Sequence, residues 1–335
     1  MTLPGSVPDM SMGGLDPRRS LAENYRMFGR EARGRSELYE TLAASVAGDA
    51  EIMGFVGALP RAKQQPNLLF AAARYLLDGP PSLGALRTLV RRHGSDLSAV
   101  MLTRRTQTNE PARCATLLPA LALLTGPLAL IEVGASAGLT LLFDRYSYDY
   151  DGYLIAGTDP DAPTLRCDLH GPVPRPSRVP DIAWRAGLDL NPLDVTSDDD
   201  MRWLSCLVWP GEADREDRLA AAVAAARRDP PPVHRGDLLT DLPALAAQAP
   251  AGATLVVYHS AVLAYVAARD RERFARSVGD LAAVWLSNEA PGVVPSLGYT
   301  DPREGTFVLG QDGRTPLAFT DGHGTWLHWL DGAGG

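Results

Sequence analysis

The chain has 335 residues, of which 45% are hydrophobic and 21% are charged, the composition of a globular protein with a sizeable core. Its formal net charge of −8 at pH 7 argues against a non-specific grip on nucleic acid or an anionic membrane. Because Lys63 is the single lysine and follows no glycine-rich loop, a Walker-type phosphate loop is excluded.

Neither a disulfide framework nor a metal centre is expected. The cysteines, Cys114, Cys167 and Cys206, are far apart and show no paired spacing. No group of histidines and carboxylates has the spacing of metal ligands. The first residues lack the apolar core of a signal peptide, and no window reaches ~18 uninterrupted apolar residues. We therefore expect a cytoplasmic protein without a membrane-spanning segment.

The N-terminal third has a helical pattern. Residues 1–16 are rich in Gly, Pro, Ser and Met, which predicts a disordered leader. Over residues 17–126, apolar residues recur at spacings of three and four, which predicts an all-helical N-terminal subdomain. Its last helix is predicted over Pro111–Leu124, with the proline near the first turn.

At residue 127 the pattern changes to strands that alternate with helices. Leu128–Val133 is a short apolar run before a glycine turn, which predicts a buried parallel strand. Further strands are predicted over Ile182–Leu188, Pro232–Arg235, Thr254–Tyr258 and Ala283–Ser287. Helices are predicted over Gly138–Arg145, Asp214–Arg228, Ala261–Ala268 and Arg271–Val278. This alternation predicts an α/β fold over residues 127–335, a Rossmann-like, mostly parallel sheet covered by helices on both faces.

Two segments depart from this alternation. Residues 146–180 contain an alternating Tyr-Ser-Tyr-Asp-Tyr pattern, which predicts a small β insertion. Gly305–Leu309 and Pro316–Phe319 flank a Gln-Asp-Gly turn, the pattern of an antiparallel hairpin. A terminal antiparallel hairpin on a parallel sheet favours the methyltransferase version of this architecture over the dinucleotide-binding version.

The segment Glu-Val-Gly-Ala-Ser-Ala-Gly, from Glu132 to Gly138, follows the first strand and is predicted to open a helix. Gly134 permits a tight turn, the small residues around Ser136 let a ligand approach the backbone, and the helix N-terminus offers N–H groups. An acid two residues before the first glycine suits a ligand with a cationic amino-acid part better than a pyrophosphate. The expected cofactor is therefore S-adenosylmethionine, which carries an ammonium and a sulfonium.

Two later acids fit the same cofactor. Asp189 lies at the tip of the second strand, where a carboxylate can accept both ribose hydroxyls. Asp237 follows the third strand, where it can accept from the adenine amino group. The usual ribose acid lies ~20 residues after the glycine turn. Asp149 or Asp151 is therefore the alternative, if Tyr146–Tyr150 forms the second strand.

These stretches resemble two known groups of proteins. Glu132–Gly138, Gly187–Pro192 and Arg235–Asp237 are similar to the first three motifs of class I S-adenosylmethionine-dependent methyltransferases. From about Phe28, the chain resembles more closely a bacterial family of uncharacterised proteins, the domain of unknown function 2332. The matching stretches are Gln65–Leu69, Gln107–Arg113, Ile131–Gly138, Gly187–Val195, Tyr258–Leu263, Trp285–Glu289 and His323–Trp326. That family has no established reaction, so this resemblance implies the fold more than the activity.

Two residues at strand ends are candidates for the chemistry of methyl transfer. His259 ends the fourth strand and is the candidate general base. Glu289 ends the fifth strand and is a candidate base or substrate ligand. The alternative interpretations are a histidine that satisfies a helix end and a solvated loop carboxylate. Ser260 is a candidate substrate contact.

A polar cluster, with Asn109, Glu110 and Arg113, precedes the last N-terminal helix. One interpretation is that it caps this helix. The other is that the helical subdomain forms a lid that excludes water from the cofactor site and supplies these side chains to the substrate. In that case Asn109 or Glu110 is expected to lie within reach of the glycine turn or of His259.

Two other functions are compatible with the sequence. The glycine segment also spells Gly-x-Ser-x-Gly, which makes Ser136 a candidate nucleophile of a serine hydrolase, with Asp237 and His259 or His323 as partners. The second function is that of a protein with a degenerate methyltransferase fold, which senses a ligand or binds a partner without catalysis. Net acidity favours a small-molecule substrate over nucleic acid. The oligomeric state is left open.

Overall fold

A computed structural model describes residues 15–16, 18–298 and 305–332, so most of the leader predicted over residues 1–16 lies outside the described residues. The described chain divides into two compact units. One, the sheet unit, comprises residues 109–196, 218–298 and 305–332, and the other, the helical unit, comprises residues 15–16, 18–108 and 197–217. Residues 197–217, which follow one strand of the sheet unit and precede the next, therefore belong to the helical unit.

The helical unit is built from helices, most of which have a side-chain cap at the N-terminus, and it contains an aromatic core. They are α1 Leu21–Glu31, α2 Glu37–Ala47, α3 Ala50–Gly57, α4 Pro66–Leu77, α5 Leu83–Thr103 and α7 Asp198–Cys206. The side chains that accept a backbone N–H at their N-termini are Ser20, Ser36, Asp49, Ser82 and Ser197. The aromatic rings in mutual contact include Tyr25, Phe28, Tyr39, Phe70 and Trp209.

The sheet unit holds the larger sheet of the described chain. Its helices are α6 Arg113–Leu121, α8 Ala213–Arg228, α9 Leu242–Ala246 and α10 Ala268–Asp280. The larger sheet is formed by β1 Leu128–Val133, β5 Asp168–His170, β6 Ile182–Asp189, β7 Val233–Arg235, β8 Thr254–Ser260, β9 Val284–Glu289, β10 Thr306–Gln311, β11 Thr315–Asp321 and β12 Trp326–Trp329. Its strand order is β5-β12-β11-β10-β9-β8-β1-β6-β7. The first residues of α8, 213–217, belong to the helical unit.

The strands from β9 to β7 are parallel and have the order of a doubly wound sheet. β1 pairs with β6 on one side and with β8 on the other, and the chain continues outward to β7 and to β9. The switch point lies between β1 and β8, and ligands of open α/β sheets bind outside the carboxyl ends of the strands at such a point. A mixed α/β fold with a large, mostly parallel sheet is confirmed.

The predicted hairpin and insertion both form. β10 and β11 pair antiparallel, β12 follows antiparallel, and β5 lies at the sheet edge parallel to β12. The insertion forms a smaller sheet from β2 Ser147–Tyr150, β3 Tyr153–Ile155 and β4 Thr164–Arg166. Within the described residues, no helix combines the length and the apolar composition needed to cross a bilayer.

The helix predicted over Gly138–Arg145 does not form. Gly138 has a φ of +73°, and a single 3₁₀ turn, Leu139–Leu141, follows it. The carbonyl oxygens of residues 139, 140 and 141 accept from the side chains of Tyr146, Tyr258 and Arg185, respectively. The turn is also buried throughout, so no amphipathic face favours a helix here.

The helix predicted over Ala261–Ala268 does not form either. Ala261 has a φ of +60°, outside the helical region, and the segment contains only a 3₁₀ turn, Leu263–Tyr265. The helix α10 begins at Ala268, where the predicted helix was expected to end.

Candidate functional site

Side chains of the parallel strands alternate between the two faces of the larger sheet. Ile131, Val257 and Trp285 join the apolar core with residues of α9 and α10, and we call their side of the sheet the core face. Glu132 and Ser260 alternate with these residues along β1 and β8 and lie on the opposite side, which we call the Glu132 face. The candidate residues are therefore divided between two environments.

Glu132 is buried in the second of these environments. It is 5% exposed, its Oε1 accepts from the Thr140 hydroxyl, and its Oε2 has no hydrogen-bond partner among the described residues. Burial raises the pKa of Glu132 to about 8; the charge of Asp189 adds to this rise, whereas the Thr140 hydroxyl and the Arg113 guanidinium oppose it. A buried carboxylate with an unused acceptor is well suited to pair with a cationic ligand group.

The polar cluster ahead of α6 reaches the same edge of the sheet. Asn109 Oδ1 accepts the backbone N–H of Leu139, at the end of the glycine turn, over 2.9 Å. Arg113 donates to the carbonyl oxygen of Ser260 at 3.1 Å and to that of Gly322 at 3.0 Å. The predicted approach of Asn109 to the glycine turn is therefore observed, and Arg113 ties α6 to the end of β8.

A row of neutral polar groups continues along the Glu132 face. Asn288 Nδ2 donates to Ser260 Oγ at 3.2 Å, and Asn288 Oδ1 accepts from the Thr320 hydroxyl at 2.8 Å. All three side chains are buried, at the ends of β8, β9 and β11. A hydroxyl that accepts one hydrogen bond can still donate its proton, so Ser260 offers a donor at this edge.

Asp189 organises the glycine turn from the end of β6. Its Oδ2 accepts the N–H of Ser136 at 2.8 Å, and its Oδ1 accepts the N–H of Asn191 at 2.7 Å. Each carboxylate oxygen can accept two hydrogen bonds, so these contacts are compatible with a ligand hydroxyl. β6 is the strand beside β1, whereas Asp149 and Asp151 lie in or next to the smaller sheet. Asp189 is therefore the acid at the tip of the second parallel strand.

The small residues of the turn serve close packing as well as backbone geometry. Gly134 has a φ of +72°, and a Cβ there would lie 2.5 Å from a Val262 methyl carbon. A Cβ on Gly187 of β6 would lie 2.6 Å from the Cβ of Ala135. The turn is thus packed against β6 and against the loop after β8, so a side chain at Gly134 or Gly187 would not fit without a shift of its neighbour.

Asp237 and Glu110 both have hydrogen-bond partners within the sheet unit. Asp237 follows β7, is half-buried, and accepts the N–H of Leu239 through Oδ1 at 2.7 Å. Glu110 is buried, and its Oε1 pairs with Arg218 of α8 at 2.8 Å. Asp237 therefore lies at the end of the strand next to β6, while the ion pair of Glu110 favours a structural role.

His259 and Glu289 are packed together on the core face. His259 Nδ1 lies 2.7 Å from Glu289 Oε1, and the indole N–H of Trp285 lies 3.0 Å from His259 Nε2. Because an indole N–H only donates, Nε2 accepts and Nδ1 carries the proton of a neutral imidazole. Glu289 Oε1 also accepts the N–H groups of Val262 and Leu263. These are the contacts of a structural histidine, with both ring nitrogens engaged on the face opposite Glu132.

Ser136 has one property of a hydrolase nucleophile and lacks others. Its φ is +53°, and a strained backbone of this kind is typical of a nucleophile elbow. The elbow, however, exposes its serine at the start of a helix. Here a single 3₁₀ turn follows, and Ser136 is 3% exposed. The geometry therefore supports a turn residue held by Asp189 more than a nucleophile.

The family of the chain follows from comparison with family models. A model described as an uncharacterised protein conserved in bacteria (DUF2332) matches residues 22–329. The chain belongs to this family. Neither the curated proteins nor the solved structures gave a match. The DUF2332 match contains every residue of the Glu132 face described above.

Two residues of this candidate site, Thr140 and Thr320, were not found from the sequence. The Thr140 hydroxyl donates to Glu132 Oε1, and Asn109 Nδ2 lies 3.5 Å from the Thr140 hydroxyl oxygen. A threonine within the otherwise apolar run from Leu139 to Phe143 was the available signal. Thr320, the partner of Asn288, lies on a strand far along the chain, and no local pattern marks it.

Proposed function

We propose that this DUF2332 protein binds S-adenosylmethionine at the carboxyl ends of β1, β6 and β7 and transfers its methyl group to a small molecule. The proposal rests on the positions of Glu132, Asp189 and Asp237 at the ends of adjacent parallel strands beside a switch point. In this order, the acids suit an ammonium, a pair of ribose hydroxyls and an adenine amino group. The methyltransferase version of the Rossmann-like fold is part of the same proposal.

The surroundings of Glu132 support the cationic end of this ligand. Its buried Oε2 lacks a partner among the described residues, and an ammonium group would supply one. An ammonium also favours the ionised form of Glu132, and in that form the group would repel a pyrophosphate. Dinucleotide sites place their pyrophosphate at a helix N-terminus, whereas Gly138 leads here into a 3₁₀ turn. Both observations favour S-adenosylmethionine over NAD.

The acceptor side is assigned to neutral polar groups on the Glu132 face. Methyl transfer is an in-line displacement at a carbon activated by the sulfonium, so positioning of the acceptor is the main requirement. Ser260, Asn288 and Asn109 offer hydrogen-bond donors and acceptors for an uncharged small molecule. His259 and Glu289 lie on the core face, so we do not assign the proton transfer to them.

Calorimetric titration with S-adenosylmethionine and S-adenosylhomocysteine tests the cofactor directly. We expect both to bind, and NAD to bind much more weakly. If neither binds at millimolar concentration while NAD or a phosphate ester does, the proposal is wrong. Cofactor binding without methyl transfer to any small-molecule pool would favour a ligand-sensing protein. Labelling of Ser136 by a fluorophosphonate would favour a hydrolase.

Replacing Asp189 by Ala is expected to weaken S-adenosylmethionine binding by about 1–3 kcal/mol, because two ribose hydroxyls lose their acceptor. Asp149→Ala is the matched control, since Asp149 caps Gly152 in the smaller sheet. We expect its dissociation constant to be unchanged. Calorimetry on both variants checks the assignment, and the reverse pattern would transfer the ribose role to Asp149.

A further inference from the structure

The geometry points to a surface site for a divalent transition-metal ion, formed by His170 of β5 and His328 of β12. The two residues are register partners on neighbouring parallel strands. Their ring centroids lie 6.3 Å apart, with the ring planes at 54°. Both side chains are exposed, so an ion reaches them from solvent without any rearrangement of the core.

The distance between the rings is close to that of a bis-imidazole site. With metal–nitrogen bonds of about 2.0–2.1 Å and tetrahedral angles, two bound rings have centroids about 5 Å apart. The rings therefore have to approach by about 1 Å, which rotation of exposed side chains achieves on a fast timescale. Imidazole is a ligand for Zn²⁺, Cu²⁺ and Ni²⁺ and a poor one for Mg²⁺ or Ca²⁺.

The backbone around the pair is fixed even though the rings are exposed. β5 ends at His170, and the next residue, Gly171, has a φ of +79°. A Cβ on Gly171 would lie 2.5 Å from the Trp329 carbonyl oxygen. This close approach of the two strands holds His170 beside His328. Among the described residues, no group of three or more potential ligands could hold a metal ion. The remaining coordination positions would be filled by water.

A metal ion bound by both histidines is expected to stabilise the pairing of β5 with β12 at the edge of the larger sheet. β5 is a three-residue strand at the edge of the larger sheet, where β12 is its neighbour. Asp168 N–H donates to the Thr325 carbonyl oxygen at 2.9 Å, and Leu169 N–H donates to Asp151 Oδ2 at 3.1 Å. A metal bridge from β5 to β12 would hold the end of the insertion against the C-terminal strand, and this function is independent of the proposed methyl transfer.

Zinc titration of the tag-free protein tests this site. We expect one Zn²⁺ to bind by calorimetry and to raise the melting temperature. His170→Ala and His328→Ala should each weaken zinc binding at least about tenfold, since even loss of an indirect contact to a metal ligand costs about 10–100-fold. His93→Ala and His234→Ala, at exposed histidines elsewhere, should leave it unchanged.

Two results would overturn the inference. One is a wild-type protein that binds no Zn²⁺ at millimolar concentration. The other is zinc binding that persists unchanged in both His170→Ala and His328→Ala. Urea unfolding of these variants without metal, compared with wild type, shows whether they fold. Because both side chains are exposed, we expect changes within about 0.5 kcal/mol.

Discussion

Replacing Glu132 by Gln is expected to stabilise the protein by about 3–5 kcal/mol at pH 8. Burial raises the pKa of Glu132 from 4.5 to about 8, so between these values the folded chain holds a proton that the unfolded chain has released. The stability of the wild type therefore falls as the pH rises through this window. Gln is neutral and nearly isosteric, so the stability of the variant does not fall as the pH rises through this window.

Urea unfolding of both proteins at pH 4.5 and pH 8 measures the effect. Near pH 4.5 the two free energies of unfolding should differ by less than about 1 kcal/mol, because Glu132 is then mostly protonated in the folded chain. Glu272→Gln, at an exposed carboxylate of α10, is the matched control and should show no such gain. Parallel pH profiles of wild type and Glu132→Gln would contradict the prediction.

The same variant connects stability with binding. A buried carboxyl group whose ionisation costs stability is a candidate binding group, because a ligand cation favours its ionised form and offsets that cost. We expect Glu132→Gln to weaken S-adenosylmethionine binding while it stabilises the protein. A stabilised variant with unchanged affinity would leave the pKa argument intact and remove the ammonium from the proposed site.

Replacing His259 by Ala is expected to destabilise the protein by about 3–5 kcal/mol at pH 7. The change removes a buried ring, leaves the Trp285 N–H without its acceptor, and takes one donor from Glu289 Oε1. Urea unfolding measures the loss. His234→Ala, at an exposed strand position, is the control and should change stability by less than about 0.5 kcal/mol.

This experiment also distinguishes a structural His259 from a catalytic base. A general base positions one ring nitrogen at the substrate, so its removal abolishes turnover while most of the stability remains. The observed contacts engage both nitrogens of His259, with Glu289 and Trp285, on the face opposite Glu132. A His259→Ala protein with wild-type stability and no methyl transfer would restore the role first expected for this residue.

Because His259 and Glu289 lie on the core face, the residues that remain as candidates to bind the methyl acceptor are those of the Glu132 face. Ser260 and Asn288 come directly after His259 and Ser287, whose side chains lie on the core face. The side chains of Ser260 and Asn288 lie on the Glu132 face, where they form a hydrogen bond with each other. Variants such as Ser260→Ala and Asn288→Ala therefore test the acceptor site without touching the acids assigned to the cofactor. Arg113 binds the Ser260 carbonyl oxygen, so it positions this edge through the backbone.

Local patterns were sufficient to predict the parallel strands β1, β6, β7, β8 and β9 and the antiparallel hairpin of β10 and β11. The apolar run of β1, the following glycine turn and the hairpin of β10 and β11 each depend on residues adjacent in sequence. The position of Asp189 at a strand end was predicted for the same reason. The sequence left open whether Asp149, Asp151 or Asp189 ended the second strand, because the length of the insertion is not a local property.

The sequence by itself determined the parallel strands β1, β6, β7, β8 and β9 and the hairpin of β10 and β11, since strand periodicity and turn residues act between near neighbours in the chain. Only the tertiary structure decided the rest. The segment after Gly138 lacks its predicted helix because distant side chains, including Tyr258 and Arg185, take the carbonyl oxygens that a helix would use. Likewise, the pairing of His259 with Glu289 depends on which strands are neighbours, and strand order is set by packing of the whole sheet.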